Sequence, residues 1–414
     1  MKLNRRQFFK AGSGALAFAS MPYLLKSAGI ASEKPIKVGS ILDKTGILNI
    51  YSLKQIQASA MAVDEINAAG GLLGRPLELV FYDSQSDGQY NSQYVTEALL
   101  KDKVDVVHGG ITSSSREVMR PIVSRFKGLL FYNSLYEGGV CDRRHVSTGM
   151  VPAQQLEPLM DYVVKELGQK RVYILAADYN YGHITAKWMQ KFARERGGED
   201  LAVEFFPLDV TNFQPAISRI QAAKPDVVLS ALVGGAHIAF YRQFESSIGK
   251  ANMMLASGSY GVGLEHTQLS PEEGNGIILA TSYVDDLQTA EAKDFVSRFH
   301  NYTGDNGYVG EYGEYGERGI KLWAEAVRQA GDSSPDAVIA ALSKGTVSVV
   351  GAGGRYTVDG KTNHTVMDIH IVKGNMNRRF DMIRSFEQRQ PSDTQAVCDL
   401  HANPDDTTQY EPEV

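Results

Sequence analysis

The stretch IKVGSILDKTGILNIYSLKQIQASAMAVDEINAAGG, residues 36–71, contains the first unit of the fold. Residues 36–41 are mostly apolar and lead into a polar turn at residues 43–46, which predicts a buried strand. From residue 52 to residue 67 the apolar side chains recur at helical spacing, and Ala69-Gly70-Gly71 ends the pattern. The stretch therefore predicts a strand followed by a helix that packs on it.

The same alternation of strand and helix continues along the chain and restarts after Gly149. Further strands are predicted at residues 77–82, 104–108, 128–132, 171–176, 201–207 and 227–232, near 254, and at 277–280. This rhythm is typical of parallel sheets covered by helices, and two such sets in a chain of 414 residues predict two α/β lobes. Residues 291–345 are expected to be mostly helical, and antiparallel strands are expected at residues 354–358, 367–372 and 380–385.

The amino terminus predicts export from the cytoplasm. Arg5-Arg6 lies in a basic segment, a mildly apolar run follows as far as Leu25, and small residues occur near Ala31. These features are typical of a signal peptide over residues 1–31, and the adjacent arginines favour the twin-arginine route. The alternative is a basic helix start that happens to contain two arginines. We expect a periplasmic protein.

Charge and cysteine content narrow the function classes. Loss of residues 1–31 removes five basic residues and no acid, so the net charge changes from −6 to about −11. Such an acidic protein has no general attraction to nucleic acid or anionic lipid. The two cysteines, Cys141 and Cys398, would lie in an oxidising compartment that permits a disulfide. A disulfide and two separate thiols both remain open.

Ligands of parallel sheets bind beyond the carboxyl ends of the strands, so the residues after each predicted strand are informative. These segments are rich in hydroxyls, glycines and tyrosines, which suits a small polar solute bound by hydrogen bonds. The candidate ligand-binding residues are Ile111, Thr112, Ser113, Tyr132, Asn133, Ser134, Tyr179, Asn180, Tyr181, Gly234 and Gly235.

Structural roles are the alternative for several of these residues. The hydroxyls of residues 112–115 precede a helix and can cap its first turn, although four hydroxyls exceed what a cap needs. In an extended segment Tyr179 and Tyr181 would point to opposite faces, so we expect only one to reach the ligand. The mature chain lacks a G-x-S-x-G motif, and its histidines lack metal-site spacing. We expect a protein that is not an enzyme and has no cofactor or metal.

Several motifs resemble a known family. Residues 66–75, INAAGGLLGR, resemble the motif that closes the first helix of the leucine/isoleucine/valine-type periplasmic binding proteins. Within that family, residues 112–116, 129–138 and 178–181 resemble the urea and short-chain amide branch, and Asn363-His364-Thr365 agrees with it. The similarity runs from about residue 36 to residue 385.

The resemblance implies the periplasmic binding protein type I fold, with two lobes joined by three crossover strands near residues 149–152, 280–284 and 353–358. The implied divisions are an N-terminal lobe of residues 32–150 and 284–354, a C-terminal lobe of residues 151–283 and 355–390, and a surface tail of residues 391–414. A solute would bind between the lobes, and an ABC permease at the inner membrane would recognise the closed form.

By position, the resemblance implies that Ser113 hydrogen-bonds the ligand. Tyr132 and Ser134 would line the first lobe, and Tyr179 and Tyr181 would close from the second. The chain departs from the branch at Ile111, where an aromatic residue is common, and at Asn133 and Gly182, where proline is common. These departures allow a ligand that is larger than urea or differently polar.

The expected function is a solute-binding receptor of an ABC uptake transporter, acting as a monomer or dimer on urea, a short-chain amide or a related amino-acid-like solute. One alternative is an exported sensor that signals to a regulatory system through the same closure. The least favoured alternative is an amide hydrolase, because the chain lacks a recognisable nucleophile and base.

Overall fold

The computed structural model describes residues 34–414, so the predicted signal peptide lies outside the described residues. The first lobe begins with a parallel sheet in the order β2-β1-β3-β4-β5. Its elements are β1 (Ile36–Leu42), α1 (Asn49–Ala68), β2 (Leu77–Asp83), α2 (Gly88–Glu97), β3 (Val106–Gly109), α3 (Ser113–Arg125), β4 (Leu130–Tyr132) and β5 (His145–Ser147).

The second lobe is built on a larger mixed sheet. Its first part comprises α4 (Pro152–Met160), β6 (Arg171–Ala177), α5 (Asn180–Glu195), β7 (Glu199–Phe206), α6 (Gln214–Ala223), β8 (Val227–Ala231), α7 (Gly235–Ser247), β9 (Met254–Ser257), α8 (Glu265–Gln268), α9 (Pro271–Gly274) and β10 (Ile278–Thr281). The chain then forms α10 (Ala290–Thr303), α11 (Gly310–Ala330), α12 (Pro335–Leu342), β11 (Ser348–Gly351), β12 (Gly354–Val358), β13 (Thr365–Gly374), β14 (Phe380–Arg389) and α13 (Ser392–Gln395).

Strand order separates the parallel from the antiparallel part of this second sheet. The order is β11-β12-β13-β10-β9-β8-β6-β7. Strand β14 lies outside this order and pairs with β13. Strands β6 to β10 are parallel, whereas β11 to β14 add antiparallel pairs, as the sequence predicted. Every residue of β3, β4 and β8 is buried because helices cover both faces of a parallel sheet.

The long helices α10 and α11 return to the first lobe and pack against α1. Their close approach depends on a glycine, because a Cβ at Gly316 would lie 2.4 Å from the carbonyl oxygen of Gln55. Most of α11 is therefore buried, and its Trp323 side chain is 0% exposed. Within residues 34–414, no helix combines the length and apolar character needed to cross a membrane.

One buried arginine links the segments in which the chain passes between the lobes. Arg318 of α11 donates from Nη1 to the carbonyl oxygen of Thr148 at 2.9 Å. Its Nη2 donates to Ser282 Oγ and to the Tyr356 hydroxyl, both at 2.9 Å. The guanidinium also pairs with Glu314 one turn earlier on the helix. The residue limits predicted for each lobe stay a prediction, but Arg318 contacts all three regions expected to form crossovers.

The tail is firmly attached to the first lobe, and its division from the second lobe at residue 391 stays a prediction. Cys141 and Cys398 form a disulfide, with their Cα atoms 5.3 Å apart, so of the two alternatives the structure contains the bonded form. The backbone N–H of Cys141 donates to the Thr408 carbonyl, and that of Tyr410 donates to the Gly139 carbonyl, both at 2.8 Å.

From this attachment the tail also reaches the second lobe. Gln409 donates from Nε2 to Glu137 Oε1 of the first lobe at 2.6 Å, and its Oε1 accepts from Asn180 Nδ2 of α5 at 3.1 Å. Two residues further on, Glu411 pairs with Lys187 of α5 at 2.5 Å. The tail therefore bridges the two lobes on one side of the molecule.

Candidate ligand-binding site between the lobes

A small inner cavity lies where the carboxyl ends of strands from both lobes meet. Its free space is about 20 Å³, on the order of one water molecule. The lining residues are all uncharged: Tyr51, Ile111, Ser113, Tyr132, Leu135, Tyr179, Tyr181, Val233, Ser259, Val262 and Tyr312. A second cavity of about 350 Å³ adjoins it, and Ile111 and Tyr179 line both.

The start of α3 is rich in hydroxyls, some of which cap the helix and some of which line the cavities. Thr112 Oγ1 accepts from the backbone N–H of Ser115 at 3.1 Å, and Ser115 Oγ donates to the Thr112 carbonyl at 2.7 Å. Thr112 and Ser115 therefore cap the helix, as the structural alternative predicted, and both also line the second cavity. Ser113 is 1% exposed and lines the inner cavity, and its Oγ has no hydrogen-bond partner within residues 34–414.

Tyr132, the last residue of β4, and Ser134, two residues later, shape the first-lobe wall rather than supply free hydroxyls. The Tyr132 hydroxyl donates to the Ile111 carbonyl at 2.8 Å, so its ring lines the cavity while its polar end holds the loop after β3. Ser134 Oγ bonds to the same carbonyl at 3.1 Å and to the Tyr312 hydroxyl at 2.7 Å. Ser134 thus holds two cavity-lining residues, Ile111 and Tyr312, in position by hydrogen bonds.

The second lobe contributes both tyrosines that follow β6. The expectation that only one would reach the site is wrong, because α5 begins at Asn180, so Tyr181 is helical and does not alternate with the extended Tyr179. The rings of Tyr179 and Tyr181 have centroids 6.0 Å apart, and both line the inner cavity. The Tyr181 hydroxyl is buried and makes no hydrogen bond of standard geometry in the described part of the chain, and the hydroxyls of Thr185 and Ser259 are its polar neighbours. A Cβ at Gly182 would lie 1.9 Å from the Ala177 carbonyl oxygen, which explains the glycine there.

Asn133 and Asn180 do not line either cavity, contrary to the sequence-based assignment. Asn133 is 1% exposed, and its Nδ2 lies 3.0 Å from His108 Nδ1. Its Oδ1 accepts from Thr148 Oγ1 at 2.8 Å, beside the first crossover. Asn180 donates to Glu137 Oε1 and Gln409 Oε1, both at 3.1 Å, so both asparagine side chains are occupied in structural contacts.

The glycines after β8 lie at the contact between the lobes. The backbone N–H of Gly234 donates to the Tyr51 hydroxyl of α1 at 2.9 Å. Gly234 has a φ of 72°, which favours glycine, and Gly235 begins α7. Neither glycine lines a cavity, but the hydrogen bond from Gly234 to Tyr51 joins the two lobes beside the inner cavity.

Sequence reasoning missed several lining residues. Tyr51 and Tyr312 lie on α1 and α11, with ring centroids 5.3 Å apart, and residues on helices carry no strand-end signal. Ser259 and Val262 follow β9, and Val233 follows β8. The rule that ligands bind beyond strand ends applies to these three as well, so the same signal could have found them.

A buried polar chain runs behind Ser259. Ser259 Oγ donates to the Leu232 carbonyl and lies 2.9 Å from His237 Nε2, so this nitrogen carries the proton. His237 Nδ1 is then an acceptor, 3.6 Å from Glu265 Oε1. Burial raises the pKa of Glu265 to about 7 and lowers the pKa of His237 to about 3, so the pair is not a charged salt bridge.

Glu265 should make stability depend on pH. Its pKa is raised on folding from the ordinary 4.5 to about 7, so its contribution is complete below pH 4.5 and is lost as the pH rises through 7. We expect Glu265→Gln to gain up to about 3 kcal/mol in free energy of unfolding relative to wild type between pH 4.5 and pH 8. Urea unfolding of both proteins across this range measures the difference, and a difference that stays constant with pH would contradict it.

Comparisons with known proteins agree with this geometry. The chain is similar to Leu/Ile/Val-binding protein homolog 7 of Brucella abortus (strain 2308), with 24% identity over 343 residues that cover 77% of this chain and 83% of the relative. The fold is similar to that of the solute-binding protein of an ABC transporter from Rhodopseudomonas palustris BisB5 in complex with 3,4-dihydroxybenzoic acid. That match has a TM-score of 0.77 and 22% identity, and it covers 87% of this chain and 99% of the other.

A third similar protein is the branched-chain amino acid transporter substrate-binding protein from Streptococcus pneumoniae in complex with isoleucine. It matches with a TM-score of 0.74 and 20% identity, over 86% of this chain and 100% of that chain. These likenesses confirm the two-lobed α/β fold. A family model described as periplasmic binding protein matches residues 35–379. The chain therefore belongs to the periplasmic binding protein family.

Proposed function

We propose that this chain is the periplasmic solute-binding receptor of an ABC uptake system and that it closes its lobes on a small neutral polar solute, such as urea or a short-chain amide. Family membership supports the receptor role, and the similar proteins named above include solute-binding proteins of transporters. The neutral character of the solute is inferred from the inner cavity of this chain.

The observation that carries the proposal is a pair of buried hydroxyls, one from each lobe. Ser113 Oγ and the Tyr181 hydroxyl line the same cavity, and neither has a partner within residues 34–414. A buried hydroxyl without a hydrogen bond costs about 1–3 kcal/mol, so a solute that bonds both would stabilise the arrangement. Because Ser113 and Tyr181 meet only when the lobes close, such a solute shifts the open–closed equilibrium towards closure.

The lining supports an uncharged ligand. Benzoates and amino acids, which some of the similar proteins bind, carry a carboxylate. Within residues 34–414, no Lys, Arg, Asp or Glu side chain lines the inner cavity, and burial of a charge without a counter-charge is strongly unfavourable. The free space of about 20 Å³ is smaller than urea, so the lining side chains must move outward to admit a solute, and a compact solute requires the smallest movement.

A ligand panel tests the proposal. We expect urea or a short amide to raise the melting temperature more than isoleucine or 4-hydroxybenzoate, because a ligand that binds only the folded state stabilises it. For the amide or urea that binds, Ser113→Ala and Tyr181→Phe should each weaken the affinity about tenfold in calorimetric titration, since each removes a hydrogen bond to the solute.

Two matched control variants remove a serine hydroxyl and a tyrosine hydroxyl that lie outside both cavities. Ser124→Ala lies at the other end of α3, and Tyr162→Phe lies in the second lobe away from both cavities. Both controls should keep wild-type affinity. A melting shift with isoleucine or benzoate alone would reject the neutral ligand, and unchanged affinity in Ser113→Ala and Tyr181→Phe would reject the assigned cavity.

A further inference from the structure

The second cavity continues the cleft outward from the inner one. It holds about 350 Å³ and shares Ile111 and Tyr179 with the inner cavity, so these two residues form the boundary between them. Asp43, Ser84 and Asn91 of the first lobe lie on one side of it. Asp178, Pro207 and Leu208 of the second lobe lie on the other. A ligand that spans both cavities would therefore contact both lobes along its whole length.

The charge of this outer cavity differs from that of the inner one. Asp43 is 2% exposed and accepts hydrogen bonds from Ser84 Oγ and the Ser86 backbone N–H, both at 2.5 Å, and from Ser86 Oγ. Asp178 is half-exposed and its Oδ1 lies 2.8 Å from His183 Nε2. In the part of the chain that the structure describes, no Lys or Arg side chain lines this cavity. The buried Asp43 carboxylate is thus held by neutral donors alone.

A buried amide oxygen without a hydrogen-bond partner also favours a ligand that donates hydrogen bonds, independently of the carboxylates. Asn91 of α2 is 4% exposed and lines the outer cavity. Its Nδ2 donates to the Asp87 carbonyl at 2.9 Å, which fixes the orientation of the amide. Its Oδ1 is buried without a hydrogen-bond partner in the described residues. A buried carbonyl oxygen of this kind favours a ligand group that donates hydrogen bonds.

We propose that the outer cavity is a subsite for a protonated amine, so that the ligand has a neutral amide or urea head and a short chain ending in an ammonium group. The head lies in the inner cavity, and the ammonium lies between Asp43, Asn91 and Asp178. Acceptors without a basic side chain match a donor-only cation, and charge-assisted hydrogen bonds to carboxylates are the stronger kind. This subsite rests on the proposed function, because the head must occupy the inner cavity.

Three amides of equal chain length test the subsite by calorimetric titration of the wild-type protein. They are 4-aminobutanamide, pentanamide and glutaric acid monoamide, which end in an ammonium, a methyl and a carboxylate group. We expect 4-aminobutanamide to bind at least about tenfold more tightly than pentanamide, and glutaric acid monoamide to bind least tightly. The preference should weaken as salt is added, since it is partly electrostatic.

Variants of the protein then show which residues cause the preference for the ammonium group. Asp43→Asn and Asn91→Leu should each lower the ratio of ammonium to methyl affinity several-fold. Glu387→Gln removes one negative charge from the exposed face of β14 and should leave that ratio unchanged. If Asp43→Asn fails to fold, the wild-type series and Asn91→Leu still decide the matter.

The outcomes separate this subsite from the function on which it rests. Equal binding of 4-aminobutanamide and pentanamide, with sensitivity to Ser113→Ala retained, would reject the subsite and leave the neutral-solute receptor standing. Binding of none of the three amides would reject the subsite, and the melting-temperature panel with urea and short amides would then decide the proposed function separately. A preference that Glu387→Gln reduces as much as Asp43→Asn would show a general charge effect and would also reject the subsite.

Discussion

Arg318→Met should lower the free energy of unfolding by about 3–5 kcal/mol, the typical loss when one partner of a buried ion pair is removed. Arg318 and Glu314 are both 0% exposed, so the substitution leaves an unpaired carboxyl group in the interior. It also removes the donors to the Thr148 carbonyl, Ser282 Oγ and the Tyr356 hydroxyl. Urea unfolding followed by circular dichroism measures the loss.

Two further variants interpret the result. Arg328→Met on the same helix removes an arginine that is half-exposed and pairs with Glu325 at 3.5 Å, and we expect a loss below about 1 kcal/mol. Adding Glu314→Leu to Arg318→Met should recover part of the loss, because the carboxyl group is no longer left without its partner. If Arg318→Met and Arg328→Met cost the same, Arg318 does not link the crossovers energetically.

Removal of the disulfide should have an effect of similar size. The bond joins residues separated by 257 positions, and closure of so long a loop restricts the unfolded chain strongly. We expect the double variant Cys141→Ser, Cys398→Ser to lose up to about 5 kcal/mol in free energy of unfolding. Urea unfolding of the oxidised wild type and of the variant gives the difference.

Reduction provides the control for the serine substitutions. The wild type unfolded in the presence of a thiol reductant should approach the stability of the double variant, and the variant itself should not respond to the reductant. Equal stability of the oxidised and reduced wild type would show that the bond adds little to the folded state. A reductant effect on the double variant would point to a cause other than this disulfide.

The fold was largely predictable because its signals are local. Alternating apolar strands and amphipathic helices predicted both lobes, and the first helix, predicted at residues 52–67, spans Asn49–Ala68. The antiparallel strands near the carboxyl end were also predicted, from polar turns between short apolar runs. The π-helical turns that continue α2 and α4, Ala98–Asp102 and Asp161–Glu166, left no comparable signal in the sequence.

The site was only partly predictable, because its remaining contacts join residues far apart in the chain. Strand ends pointed to Ser113, Tyr132 and Tyr181, all of which line the inner cavity. Tyr312 comes to the cavity only through the packing of α11 on α1, which no local pattern indicates. Asn133 follows a strand end too, yet partners distant in sequence turn its amide away from the cavity.

The disulfide also has a consequence for the biosynthesis of the protein. Its two cysteines are the only ones in the chain, so a single intramolecular pairing exists and an intramolecular mispairing is impossible. The bond encloses residues 141–398, so it cannot form until this whole segment has been synthesised and both thiols have reached an oxidising compartment.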